Sequence, residues 1–236
     1  LPSAVYEYKM LPVKIEAGTE IRPILDGPTE TLGNFRVNHY TLSNGNGLRL
    51  DKGEEKLVLI GSGELSVNQG QENEKLDGRS VAWLTKDLPA SILHSGTSPV
   101  SFFVIEWKSE LVGKDFKPEV NALTKYNYRQ LKFKKSEKGG RRDVSRGVTP
   151  TLQELEMHIT TLNEGEKSHD PHVHADEEII IVLQGHVEEM INGVPYRLGP
   201  GSLIYLHAMD AHGIRNAGKG DCEYYAIRWI TKDTGK

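Results

Sequence analysis

An internal repeat constrains the fold of this chain more than any other feature of the sequence. The run from Gly27 to Gly45 aligns at an offset of 120 residues with the run from Gly147 to Gly165, and both carry Gly, Thr, Thr, Leu, Thr, Leu and Gly at the same positions. After a two-residue insertion in the second copy, an offset of 122 aligns Trp107 with Trp229. Because each copy of such a repeat folds as one unit, we predict a tandem duplication of a single domain.

Short strand signals separated by turns fill the second copy. Runs of β-branched or aromatic residues, such as EEIIIVLQGHVEEMI, VPYRL and CEYYAIRWI, are divided by Gly, Asn-Gly or Gly-Pro-Gly sequences. The Asn192-Gly193 pair predicts a two-residue hairpin, because a type I′ loop needs positive φ at both positions. We therefore predict an all-β fold of two small barrels or jelly rolls. The strand pattern is interrupted between residues 109 and 124, which places the domains at residues 1–118 and 119–236.

The net charge argues against one class of partner. A formal charge of −4 and a pI near 6.2 predict no binding to nucleic acid, which requires a strongly basic surface. The basic stretch from Lys132 to Arg142 is a local exception, which we interpret as a solvated inter-domain loop rather than a polyanion site. No stretch approaches the roughly 18 apolar residues of a membrane span, so no membrane partner is predicted.

The sequence indicates the cellular compartment only through its first residue. Cys222 is the only cysteine, so an intrachain disulfide is excluded and the redox state of the compartment stays open. The sequence starts at Leu1 without an initiator Met, as a secreted protein does after its signal peptide is removed. We therefore expect a bacterial periplasmic or secreted protein, with a cytoplasmic protein as the alternative.

A histidine-rich segment of the second copy predicts a metal site. His172, His174 and Glu178 stand in the sequence HVHADEE, and His212 follows later in HGIRN. Residues i and i+2 of a strand point to the same side, so the first two histidines can face one interior, and Glu178 keeps that parity. Three imidazoles and one carboxylate suit Fe²⁺, Mn²⁺, Ni²⁺, Cu²⁺ or Zn²⁺. We predict that these four side chains bind one divalent ion per chain, Mn, Fe, Ni or Zn. A histidine-rich surface loop is the alternative.

At these residues the second copy resembles a cupin, and the whole chain resembles a bicupin. Cupins carry a first motif G-x5-HxH-x3,4-E-x6-G, which is matched from His172 to Gly185, with the leading Gly165 one residue further upstream. The resemblance implies two tandem cupin barrels, each a double-stranded β-helix of the RmlC-like jelly-roll type. It also implies the same four metal ligands.

The second cupin motif, G-x5-PxG-x2-H-x3-N, is matched in part. Gly201, His212 and Asn216 fit the motif, whereas His207 and Met209 replace its Pro and Gly. The ligand assignment is unaffected, but the shape of the turn before His212 is left open. The replacement also brings an additional imidazole close to the predicted site.

The first copy lacks the metal motif. At the offset of 122, the four predicted ligands fall on Leu50, Lys52, Lys56 and Ala90, none of which can form a comparable site. We therefore predict that the N-terminal domain binds no metal and serves as a scaffold, an interface or a lid.

Three further residues are candidates for catalysis near the predicted metal. His169 precedes the motif by three residues and His207 occupies a motif position, so either imidazole can act as an acid or base near neutral pH. Arg228 can reach a substrate carboxylate if it faces the barrel, and its counterpart in the first copy is Glu106, of opposite charge. His158 and Tyr205 are weaker candidates of the same kind.

The resemblance implies a site rather than a reaction. We expect a metal-dependent enzyme that binds a small polar or carboxylate-bearing molecule directly at the metal, and the reaction can be a dioxygenation, decarboxylation, isomerisation or hydrolysis. A non-catalytic protein that binds or senses a sugar or an organic acid is the alternative. Ureidoglycine aminohydrolases have a similar architecture but a different ligand motif, and oxalate-decarboxylase-like bicupins usually keep ligands in both halves. Monomer and homodimer are both compatible with the sequence.

Overall fold

The structure is a computed structural model that describes residues 1–110 and 122–236, and the regular secondary structure of these residues is almost entirely β-strand. The strands are β1 (Ala4–Tyr6), β2 (Lys14–Glu16), β3 (Thr19–Gly27), β4 (Asn34–Leu42), β5 (Gly47–Leu50), β6 (Glu55–Ser62), β7 (Glu64–Gln69), β8 (Glu72–Asp77), β9 (Val81–Leu84), β10 (Ala90–Leu93), β11 (Val100–Lys108), β12 (Thr124–Tyr126), β13 (Phe133–Ser136), β14 (Gly139–Gly147), β15 (Glu154–Leu162), β16 (Glu177–Gln184), β17 (Val187–Ile191), β18 (Val194–Leu198), β19 (Leu203–Leu206), β20 (His212–Asn216) and β21 (Cys222–Ile230). Two 3₁₀ turns cover Tyr8–Met10 and Tyr128–Gln130. The predicted domain boundary at residues 118 and 119 lies outside the described residues. No helix in the described ranges is long and apolar enough to cross a membrane.

The strands form two barrels built to the same plan, which confirms the predicted all-β jelly-roll fold. The first barrel combines a seven-stranded sheet of order β12-β9-β6-β11-β4-β3-β2 with a four-stranded sheet of order β5-β10-β7-β8. The second combines a seven-stranded sheet of order β1-β19-β16-β21-β15-β14-β13 with a three-stranded sheet of order β18-β17-β20. Corresponding strands occupy corresponding places, as the sequence repeat predicts.

Continuous apolar runs in the central strands follow from burial on both faces. In β16, Ile180 and Val182 face the interior of the second barrel, whereas Ile179 and Ile181 belong to a core shared by both barrels. Alternate residues of a strand point to opposite faces, so a strand between two cores is apolar throughout. β6 has the same arrangement in the first barrel. The shared core holds the two barrels together.

One of the two edge strands of each seven-stranded sheet comes from the other copy. β1 pairs with β19 of the second barrel, with Ala4 opposite Tyr205. β12 pairs in the same way with β9 of the first barrel, with Thr124 opposite Trp83. This reciprocal exchange places the first residues of the chain against the barrel that carries the histidine motif.

The basic stretch does not form the solvated inter-domain loop that the sequence analysis predicted. It forms the β13–β14 hairpin at the edge of the second barrel, with Lys134 opposite Arg141. Gly139 makes this possible, because its φ of +135° suits glycine and a Cβ there would lie 2.2 Å from the carbonyl oxygen of Thr161. By contrast, the predicted Asn192-Gly193 hairpin is confirmed, with φ values of 48° and 81° between β17 and β18.

Candidate metal centre

Two of the motif histidines face each other across an isolated β-bridge. The backbone N–H groups of His172 and His212 each donate to the other residue's carbonyl at 3.0 Å. Leu50 and Ala90 are paired in the same way in the first barrel, which supports the alignment of the two copies. The prediction that His172 and His174 lie on a regular strand is wrong, because this segment precedes β16 and follows Pro171, which lacks a backbone donor.

The four predicted ligands nevertheless converge. The ligand nitrogens of His172, His174 and His212 all lie within 4.8 Å of one another. Oε2 of Glu178 lies 3.3 Å from Nε2 of His174 and 3.8 Å from Nε2 of His212. Metal–ligand bonds of about 2.0–2.2 Å place neighbouring ligands of one ion roughly 3–4 Å apart. The carboxylate and two of the imidazoles thus have the spacing of ligands to a single ion.

Backbone carbonyls fix the tautomers of two of these imidazoles. Nδ1 of His174 lies 2.7 Å from the carbonyl oxygen of Asp176, and Nδ1 of His212 lies 2.8 Å from that of Asp210. A carbonyl only accepts, so each Nδ1–H donates, and each neutral ring carries its lone pair on Nε2. Both lone pairs therefore belong to the nitrogens nearest Glu178, which is the arrangement that metal-binding histidines use.

One atom of this cluster is evidence for a cation at the centre of the cluster. Nε2 of His212 is buried and has no hydrogen-bond partner among the described residues. Burial is the main cause that lowers the pKa of His212, and it also lowers the pKa of His172, so both imidazoles favour the neutral form that binds metals. His174 differs, because its contact with Glu178 raises its pKa. The residues therefore fit a divalent ion, which would replace the proton between His174 and Glu178.

The turn before His212 accommodates the departure from the second cupin motif. Met209 stands at the Gly position of that motif and takes a positive φ of 62°. Its N–H donates to the carbonyl of His174 at 2.8 Å, so the turn joins the two ligand segments. Asn216 closes the strand by donating to the carbonyls of Leu162 and Gly220 at 2.9 and 2.7 Å. Its role is to hold the barrel end together.

The ligand cluster opens into a polar cavity of about 410 Å³ within the second barrel. Its cationic lining comes largely from the β13–β14 hairpin, which contributes Lys134, Lys138 and Arg141. Arg141 is paired with Glu156 at 2.9 Å, whereas Nζ of Lys138 donates to the carbonyl of Ser168 at 3.1 Å and has no carboxylate partner among the described residues. The cavity therefore joins the ligand cluster to an unpaired cation.

The buried Glu189 and the half-buried His158 line the same cavity, and the sequence analysis did not select them as principal candidates. Glu189 is completely buried, and both of its carboxyl oxygens lack hydrogen-bond partners in the described structure. Burial, assisted by the charge of Glu178, raises the pKa of Glu189 to about 8. His158 has an unpartnered Nδ1, and burial together with the charge of Arg141 lowers its pKa to about 4. The alternation of VEEMI was the available signal, since it places Glu189 among inward-facing apolar residues.

The three predicted catalytic residues occupy different environments. His169 lines the cavity, with its ring centroid 4.1 Å from that of His172. His207 is not among the cavity-lining residues of the described chain, and its Nε2 lies 3.3 Å from Oε2 of Glu30 in the first barrel. Arg228 lines the cavity, and its guanidinium donates to Glu156 and Asp176. Its orientation toward a substrate carboxylate therefore stays a prediction.

The first barrel has different chemistry at the equivalent positions. Lys56 stands where Glu178 stands in the second barrel, and its Nζ lies 3.2 Å from Glu106, the counterpart of Arg228. Leu50 and Ala90 are packed into the apolar core of that barrel. The ion pair and the aliphatic side chains thus occupy the region that holds the histidines in the second barrel.

Comparisons with known proteins agree with this architecture. Residues 158–228 match the family model described as a cupin domain. The fold is similar to that of the protein YlbA from E. coli (14% identity, TM-score 0.79, covering 100% of this chain and 93% of that one). It is also similar to oxalate decarboxylase from Lactobacillus farciminis (11%, 0.73, 99% and 88%) and to the Bacillus subtilis oxalate decarboxylase with Mn(II) centres (11%, 0.74, 98% and 78%). A search of curated protein sequences gives no significant match. The match identifies a cupin domain at residues 158–228, and the solved structures show that the whole chain shares their fold.

Proposed function

We propose that this chain is a metal-dependent enzyme that acts on a small carboxylate-bearing molecule in the cavity of its second barrel. The observation that carries the proposal is the buried, unpartnered Nε2 of His212, which lies with Glu178 and the other two imidazoles at the spacing of ligands to one ion. A buried polar atom without a partner costs about 1–3 kcal/mol unless something binds to it. A divalent cation held by His172, His174, Glu178 and His212 accounts for that atom.

The charges of the cavity support a carboxylate as the ligand. Lys138 offers a cation without a carboxylate partner among the described residues, whereas Lys134 and Arg141 on the same hairpin both pair with Asp143. A molecule with one carboxylate near the metal residues and a second oxygen near Lys138 would be bound at both ends. Oxalate decarboxylases, which share the fold, act on a molecule of this class and one of them has Mn(II) centres. Mn²⁺ is therefore the first ion to test.

The side chains of the cavity have separable roles in this proposal. A divalent ion in the site would supply Lewis-acid polarisation of a substrate oxygen. Lys138 would bind the free end of the substrate, and the apolar side chains of Ile180 and Ile214 would exclude water from the deeper part of the cavity. Glu189, on the same wall, would hold a proton at its carboxyl group. An unpartnered buried acid in a cavity favours an enzyme over a protein that only binds its ligand.

Metal content is the first test. Protein purified without a histidine tag or chelators should contain about one equivalent of Mn, Fe, Ni or Zn by inductively coupled plasma mass spectrometry, and the His174→Ala variant should contain none. The loaded protein is then tested for turnover of a panel of hydroxy, keto and dicarboxylic acids. Metal-dependent turnover that is lost in His174→Ala would support an enzyme. Saturable binding without turnover would support the binding protein instead.

One outcome would refute the proposal. If the protein contains no metal and takes up none of the four ions after reconstitution, then the imidazole cluster is not a metal site. The buried and unpartnered Nε2 of His212 would then need another explanation.

A further inference from the structure

A buried carboxylate at the barrel interface lies next to the proposed metal ligand Glu178. Glu177 is completely buried and accepts hydrogen bonds from the loop that follows β3 in the first barrel. Oγ1 of Thr29 donates at 2.9 Å, Oγ1 of Thr31 at 2.5 Å and the N–H of Thr31 at 3.1 Å. Tyr205 and Trp229 of the second barrel also donate to it. We call Glu177 and these donors the Glu177 cluster.

The first barrel contains the same arrangement at the symmetric position. Glu55, also completely buried, accepts from Thr149 at 3.1 Å and from Thr151 at 2.5 Å, both in the loop that follows β14 of the second barrel. Trp83, the counterpart of Tyr205, donates to Glu55 at 3.0 Å. We call this set the Glu55 cluster. The two clusters share their burial, their paired threonines and their place between the barrels.

The clusters differ in the residue that follows each glutamate. Successive residues of a strand point to opposite faces, so Glu177 faces the first barrel while Glu178 faces the cavity of the second. In the other cluster the next residue is Lys56, which pairs with Glu106 at 3.2 Å, and Leu50 and Ala90 stand at the positions of His172 and His212. Only the Glu177 cluster can therefore affect a metal ligand.

We propose that Thr29 and Thr31 of the first barrel are positioning residues for the metal centre, which they hold in place by fixing Glu177 and thereby the backbone and direction of Glu178. This inference rests on the metal centre proposed above. Groups that orient a ligand from behind typically contribute about ten- to hundredfold to metal affinity. The first barrel would thus contribute to the site of the second without supplying a ligand.

Other contacts from the first copy reach the segment that carries His212. Oγ of Ser3 donates to Asp210, and the N–H of His207 donates to Ser3 at 2.8 Å. Nε2 of His207 lies 3.3 Å from Glu30, the residue between the two threonines. The first copy therefore contacts β16, which carries the proposed ligand Glu178, and the turn that leads into the proposed ligand His212.

A matched pair of variants separates positioning from general stability. Thr31→Val and Thr151→Val each remove one hydroxyl without changing the shape of the side chain, and each removes an acceptor for a tryptophan Nε1, at 3.3 Å from Trp229 and at 3.0 Å from Trp107. The dissociation constants for Mn²⁺ and Co²⁺ are measured on purified protein, together with the visible spectrum of the Co²⁺ form and the denaturant midpoint of the metal-free form.

We expect Thr31→Val to weaken metal binding about ten- to hundredfold and to change the Co²⁺ spectrum. Both valine variants should lower the denaturant midpoint of the metal-free form by a similar amount. Thr151→Val should nevertheless leave the metal affinity and the Co²⁺ spectrum as in wild type. Thr31→Ser, which keeps the hydroxyl, should have the metal affinity and the Co²⁺ spectrum of wild type. If either valine variant does not fold, Glu177→Gln and Glu55→Gln form a second matched pair with the same expectations.

Two results would overturn the inference in distinguishable ways. Equal metal affinities for both members of a pair, with a wild type that binds metal, would leave the proposed metal centre intact and reject the positioning role. A wild type that binds neither ion would refute the metal centre and the positioning role with it.

Discussion

Nε2 of His212 lies 3.8 Å from Oε2 of Glu178 and is buried without a hydrogen-bond partner among the described residues. A carbonyl holds the proton of His212 on Nδ1, so a lone pair and a carboxylate oxygen face each other across this distance. Two acceptors in a buried site repel each other unless a cation lies between them. This pair is therefore the part of the site that depends most on a bound ion.

Replacement of His212 should abolish stoichiometric metal binding. His212→Ala removes a proposed ligand whose ring is oriented by the carbonyl of Asp210. We therefore expect the metal content to fall from about one equivalent to a trace, and added Mn²⁺ should no longer raise the thermal unfolding midpoint. In wild type, saturation at 100 times the dissociation constant should stabilise the fold by about 2.7 kcal/mol. His186→Ala, which removes an exposed histidine, is the control. Retention of metal by His212→Ala would exclude it as a ligand.

Arg228 should contribute to stability through its two carboxylate partners. Arg228→Met leaves Glu156 and Asp176 without the guanidinium that now donates to both. We expect a loss of roughly 2 kcal/mol in unfolding free energy, less than for a fully buried pair because the arginine side chain is 30% exposed. Arg146→Met, at an exposed pair with Glu154, should change nothing measurable. Equal stability of the two variants in urea unfolding would instead leave Arg228 available for a substrate.

Glu189 should make the metal-free protein less stable as the pH rises. Its pKa of about 8 in the folded state lies above the unfolded value of 4.5, so between these values the folded state keeps a proton that the unfolded state has released. Stability attributable to Glu189 is thus full below pH 4.5 and is lost as the pH rises through 8. Over this pH range Glu189→Gln should lose a few kcal/mol less unfolding free energy than wild type. Each unit of difference between the folded and unfolded pKa values corresponds to about 1.4 kcal/mol. Parallel urea-unfolding profiles of the two proteins in EDTA from pH 5 to 9 would contradict this.

His39 of the first barrel should make the protein less stable as the pH falls. Burial, together with the charge of Arg22, lowers the pKa of His39 from its usual value of 6.5 to about 4. Below pH 6.5 the unfolded state binds a proton that the folded state does not, so stability falls as the pH drops toward 4. His39 packs edge-on against Tyr8 and Phe103, with centroid distances of 5.0 and 4.8 Å, so His39→Phe should fit.

The expected difference for His39 is roughly 1–3 kcal/mol between pH 7 and pH 4. Wild type should lose that much more unfolding free energy than His39→Phe on acidification, measured by urea unfolding of the metal-free proteins. His158 has a similarly lowered pKa of about 4, but it is present in both proteins and cancels in the comparison. An equal loss in both proteins would show that folding does not lower the pKa of His39.

The sequence alone determined the duplication, the all-β class and the residues that converge as proposed metal ligands. These features depend on local periodicity and on spacing within one copy. Asn192-Gly193 forms the predicted hairpin because the turn type is decided by the two residues themselves. The histidines converge although their segment is not a regular strand, because the bridge between His172 and His212 supplies the alignment that a strand would have given.

The tertiary structure decided what surrounds those ligands. The exchange of β1 and β12, the cavity position of the β13–β14 hairpin and the burial of Glu189 all depend on which distant strands lie beside each other. Local sequence does not encode this, because a short strand with the same alternation can pair in either barrel. Arg228 shows the same limit, since its two acceptors lie 72 and 52 residues away along the chain. Long-range pairing, which is decided by the packing of the two barrels together, therefore defines the environment of the site.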